Sequence, residues 1–154
     1  GPWGGLWGIH AEQLAWLKKD LAKQSTDTPI VLFSHAPLWD YYPRWGFGTS
    51  DGAEIRAMLA RFENTFSFHG HVHQTIYNKI GNMSSVGAMS TSWPWPYPDV
   101  ELAFPQSRQY RADPGNEADG MGSYYADISP AGINVQHQPF ADSLTPWMKN
   151  GFKA

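Results

Sequence analysis

Residues 69–73, "HGHVH", hold three of the chain's six histidines within five positions. Neutral imidazole is the commonest protein ligand for transition metals, and it is also the acid–base group that works near neutral pH. A further histidine, His35, follows the apolar run "IVLFS" much as the cluster follows "FSF". In open α/β sheets, ligand sites collect beyond the carboxyl ends of the strands, and both histidine sets stand at such ends. If residues 71–73 continue as extended chain, His71 and His73 point to one side with Cα atoms about 6.6 Å apart, from a rise of roughly 3.3 Å per residue. Two imidazoles so placed converge on one metal or serve two ions about 3.5–4 Å apart. Gly70, just before them, is placed to allow close approach or an unusual backbone angle. A lone strand-end histidine is ordinarily a polar cap, and His10 and His137, without such company, default to structural or surface roles. His69 reads equally as a group behind the ligands or as a satisfied strand-end residue.

The elements that must carry these residues follow from periodicity. "AEQLAWLKKDLAK" (11–23) spaces Leu14, Leu17 and Leu21 on one helical face among charged residues, the pattern of an amphipathic helix. "STDTP" breaks it, and "IVLF" (30–33) reads as a fully buried strand. An aromatic, glycine-rich loop, "DYYPRWGFGTS", then leads to a second helix. Its start resembles a capping box, Asp51 with Glu54, and its apolar stripe is Ile55, Met58, Leu59 and Phe62. "TFSF" (65–68) is the strand that ends in the cluster. "QTIYNKI" and "MSSVGAM" read as a hairpin turning at Gly81–Asn82, and "SYYADISPAGINVQHQ" as a second one turning at Pro130–Gly132. Helix, loop and buried strand in alternation is the grammar of an α/β fold.

Between the hairpins the texture changes. "SWPWPYPDVELAFPQSRQYRADPGNEADG" is rich in proline, aromatics and turn formers, which reads as an ordered surface excursion. Within it, "WPWPYP" either fastens a loop to the core or offers a stacking surface. Asp113, Asn116, Glu117 and Asp119 lack the spacing of an EF-hand loop and read as a solvated turn.

Composition narrows the function classes. The chain has 154 residues, enough for one domain with a hydrophobic core. Eleven basic against fourteen acidic residues give a net charge of −3, without the basic stripe of a nucleic-acid binder. No apolar run approaches the roughly 18 residues of a membrane span. The absence of cysteine excludes disulfides and thiolate ligands, so a transition metal must be held by histidine, carboxylate, amide or water. It also fits an extracytoplasmic location, periplasmic or secreted.

"PIVLFSHAPL" followed by "FHGHVH" resembles the last two metal motifs of the calcineurin-like metallophosphoesterases, the superfamily that includes the purple acid phosphatases. The resemblance runs through residues 10–90, while residues 91–154 are more loosely similar to the tail of exported bacterial members. It implies an α/β chain forming the C-terminal half of a four-layer α/β/β/α sandwich, a single incomplete domain over residues 1–154. It implies that His35 and His71 share one metal and His73 binds the other, in a centre of two divalent or trivalent ions (Zn, Fe, Mn or Ni). Such a centre acidifies water and neutralises phosphoryl charge during phosphoester hydrolysis. Arg44, in the loop after His35, reads as an exposed arginine that could meet a phosphate.

The family's earlier motifs, Asp-x-His, Gly-Asp-x-x-Asp and Gly-Asn-His-Asp/Glu, are absent, and with them the bridging carboxylate. The expectation is therefore half a site, inactive alone, completed by a missing N-terminal half or by self-association. Two other readings stand beside it: a non-catalytic module that keeps the half-fold, and a mononuclear zinc hydrolase using His35, His71 and His73.

Overall fold

A computed structural model describes residues 7–41, 46–73, 76–91, 121–129 and 132–140. The α/β class holds: two helices lie on a four-stranded sheet, with a separate two-stranded hairpin. In chain order the elements are α1 (His10–Leu21), β1 (Ile30–Ser34), α2 (Gly52–Leu59), β2 (Thr65–His69), β3 (Ile76–Ile80), β4 (Met83–Gly87), β5 (Gly122–Ser129) and β6 (Gly132–Pro139). Strands β1, β2 and β4 run parallel in the order β1-β2-β4-β3, and β3 closes the far edge antiparallel to β4. The expected turn at Gly81–Asn82 is present, with Gly81 in the left-handed region at φ 59°. A parallel bridge between Ser90 and Met121 leads on to the β5–β6 hairpin.

The leucine spacing of α1 does what it predicts. Leu17 and Leu21 are buried with Leu38, Ile55, Leu59, Phe62 and Met83, and Leu14, Ile30, Leu32 and Met58 pack around them. Side chains lock the helix ends. The Arg61 guanidinium donates to the carbonyls of Leu21 and Gln24 beyond α1. Asn82 Nδ2 donates to the carbonyls of Leu59 and Phe62, at 3.1 and 2.7 Å, and so ties the end of α2 to the β3–β4 turn. The Asp51 capping box does not form. Asp51 makes no side-chain bond within its own helix, and its Oδ2 instead accepts the backbone N–H of His10 at 2.8 Å. A carboxylate at the start of α2 thus serves the orphan donors of α1.

Register divides the sheet into two unlike faces. Ile30, Leu32, Thr65, Ser67, His69, Met83 and Ser85 fall on the helix side, and Val31, Phe33, Phe66, Phe68, Val86 and Tyr77 on the other. The central strand β2 therefore turns Thr65, Ser67 and His69 toward the helices and its two phenylalanines away from them. "IVLF" is not fully buried as expected. Phe33 is 77% exposed, because β1 is an edge strand and Phe33 points to the face without helices. It stacks on Phe68, ring centres 5.3 Å apart, yet keeps most of its surface in solvent.

Candidate functional site

Parallel pairing aligns Ser34 with His69, so the residues that follow β1 and β2 leave the sheet side by side. The loop carrying His35 is held from several directions. Ser34 Oγ donates to Ala36 O at 2.8 Å, spanning His35, and Thr49 N–H donates to Pro37 O at 2.9 Å. Arg56 donates to Leu38 O, with its guanidinium 5.1 Å from the centre of the Trp39 ring. The cluster loop joins it directly, because Gly70 N–H donates to His35 O at 3.0 Å.

The cluster does not continue as extended chain. His71 and His73 both have left-handed backbone, φ 61° and 51°. Val72 N–H donates to Gly70 O at 2.7 Å, closing a three-residue turn on His71. A γ-turn with positive φ at its centre is the rare and strained form of that turn. Left-handed backbone at non-glycine residues concentrates at functional sites, where surrounding structure holds it in place. The expected special geometry at Gly70 is missing: a Cβ there would meet only His35 O, at 3.8 Å.

His35 and His71 come together, ring centres 4.9 Å apart. Trp7 lies across both, 5.1 Å from His35 and 4.3 Å from His71, and Phe47 meets His71 edge-on at 4.7 Å. His35 is exposed and His71 half-buried, with His71 Nε2 inaccessible and lacking a hydrogen-bond partner. Burial lowers the His71 pKa to about 4, helped by the charges of His35, then His73, then His69. The ring is therefore neutral at physiological pH, which is its ligand form. His69 is buried at the end of β2, its Nδ1 3.2 Å from Gly70 O, its Nε2 unpartnered and its ring 5.7 Å from that of Tyr41. Burial lowers its pKa too, partly offset by the Gly70 carbonyl.

The spacing of the His35 and His71 rings is compatible with two ligands on one ion. Two imidazoles on one ion, with metal–nitrogen bonds of about 2.0–2.1 Å, have ring centres about 4.5–6 Å apart. The His35–His71 separation of 4.9 Å falls in that range. The donor set is short, however: among the described residues no three of His, Cys, Asp and Glu are grouped to hold an ion. Arg44, the "WPWPYP" run and the acidic turn at 113–119 lie outside the described residues. His10 is exposed at the start of α1, and His137 lies on β6. Trp7 and Phe47 were not foreseen as site residues. Each belongs to a glycine-flanked aromatic stretch, "LWG" or "GFG", and periodicity says nothing of where such a residue lands.

No protein-family model matches the chain, and no curated protein matches it. Among the described residues no helix is long and apolar enough to cross a membrane.

Proposed function

We propose that this chain supplies the nitrogen ligands of a metal-dependent phosphoester hydrolase, with a carboxylate-bearing segment or partner completing the centre. The observation that carries the reading is the His35–His71 pair, brought together by two adjacent parallel strands, with the His71 ring kept neutral by burial. His35 and His71 hold one ion, and His73, on the same loop, holds the second. When bound, a pair of transition-metal ions supplies acidified water and neutralises charge on the phosphoryl oxygens. The protein's part is to hold these imidazoles in fixed directions and to limit water around them. Trp7 and Phe47 do the latter on the His71 side. Among the described residues no third ligand joins the pair, which favours an ion held jointly with other residues over a mononuclear three-histidine site.

The face of the sheet away from the helices supports the finer fold reading, half of a four-layer sandwich. A strand that turns its small polar residues toward the helices and its phenylalanines away is built to be covered on the phenylalanine side. The complement is a second sheet, from another segment or from another copy.

Zinc titration by calorimetry on the wild type, His35→Ala and His71→Ala tests the ligand assignment. Measurable binding by the wild type and loss in both variants is expected; equal binding by all three would remove the pair from the site. On p-nitrophenyl phosphate the isolated chain is expected to be no faster than buffered metal.

A further inference from the structure

Val72 stands between the two left-handed histidines, and its side chain is only 1% exposed. In a strand continuing β2, residue 72 would follow Phe66 and Phe68 onto the face without helices, and His71 would follow His69. The chain instead leaves the strand line at His71 and bends again at His73. A β-branched residue tolerates left-handed backbone worst, and the sequence places that backbone on either side of the valine and not on it. Val72 N–H also closes the turn on Gly70 O, which in turn hangs from the His35 carbonyl through Gly70 N–H. Side-chain burial and backbone bonding thus meet at one residue. Both histidines carry a Cβ, so positive φ is strained at each of them, although histidine adopts it more often than most residues.

We infer that Val72 is the positioning residue of the site: its burial forces the turns at His71 and His73 and so aims both imidazoles. The inference rests on the metal reading for its purpose but not for its geometry. Trp7, 4.3 Å from the His71 ring, supplies a probe of that geometry that needs no metal, because its indole shifts the His71 ring protons.

The experiment compares the wild type with Val72→Ile, Val72→Ala and Val72→Gly. Imidazole NMR of the metal-free protein reads the His71 ring position, and titration with cobalt(II) reads affinity and ligand geometry through the visible absorption bands. Val72→Gly is expected to lose the indole-shifted His71 signal and to bind cobalt at least about tenfold more weakly, the usual cost of losing a group that orients a ligand. Val72→Ile should retain both. Val72→Ala, which keeps ordinary backbone preference and removes only the buried methyls, carries the test if Val72→Gly does not fold, and a partial loss is expected. Native His71 shifts and a native cobalt spectrum in the folded alanine or glycine variant would overturn the inference. A wild type that takes up no cobalt, with the His71 signal still moving in the variants, would remove the metal reading and leave Val72 as the residue that sets the loop.

Discussion

The carbonyl of His35 accepts a 3.0 Å hydrogen bond from Gly70 N–H, which makes the two histidine loops one backbone unit. The bond needs an amide at position 70, not a glycine. A Cβ there would lie 3.8 Å from His35 O, an ordinary contact, whereas a Cβ at Gly52 would lie 2.4 Å from Leu38 O. Gly70→Ala should therefore change stability by less than about 1 kcal/mol. Gly52→Ala should cost about 2–3 kcal/mol, because overlap with a fixed carbonyl outweighs the gain in helix propensity. Urea denaturation of both variants checks the contrast.

His71 contributes its ring at the expense of its backbone. At φ 61° any residue with a Cβ is strained, and glycine is not. His71→Gly and His71→Ala remove the same packing against Trp7 and Phe47, so their difference isolates the backbone term. The glycine variant should be more stable than the alanine variant by about 1 kcal/mol, and neither should bind metal through this position. Equal stabilities would mean that the turn relaxes once the ring is gone.

The depressed pKa of His71 sets a pH dependence. Its folded value of about 4 lies below the ordinary 6.5, so the unfolded chain binds the proton more tightly. Stability from this group is complete above pH 6.5 and falls as the pH drops toward 4, with no further loss below. The size is about 1–2 kcal/mol after allowing for water around a half-buried ring. Thermal unfolding of the metal-free wild type and of His71→Gln between pH 7 and pH 4, a range set by the same two values, should show the wild type losing more. Parallel curves would place the acid sensitivity elsewhere, His69 being the next candidate.

Periodic features were legible in the sequence. Leu14, Leu17 and Leu21 could lie only on one helical face, and "TFSF" marked the strand that ends at the histidine cluster. Features that depend on distant partners were not. Nothing near Asp51 reveals that its carboxylate will cap the other helix at His10, 41 positions away. "IVLF" looks like a buried strand because apolar runs do not distinguish a central strand from an edge. The extended H-x-H geometry failed at Val72 for a related reason. The cluster instead takes left-handed backbone at His71 and His73, which no alternation of apolar and polar residues announces.

The clearest physical demand of the fold lies on the side of the sheet away from the helices. Phe33, Phe68, Val86 and Tyr77 pair in register as one row across all four strands, with Phe33 77% and Tyr77 60% exposed. β1, which carries Phe33, is also a sheet edge. Phe66 and Val86 on the same face are 2% exposed, so its centre is covered and the exposed rings stand on the two outer strands, β1 and β3. Exposed aromatics on outer strands are surfaces on which another chain can pack. Burying one such ring is worth about 1.5–3 kcal/mol, so replacing two in each partner should weaken association at least about a hundredfold. The wild type is therefore expected to self-associate at micromolar concentration. Phe33→Ser with Tyr77→Ser should run as a monomer in light scattering, with helix content unchanged, because neither residue belongs to the helix-side core. If the wild type is already monodisperse and cooperatively folded at tens of micromolar, the face needs no cover and the half-sandwich reading falls with it.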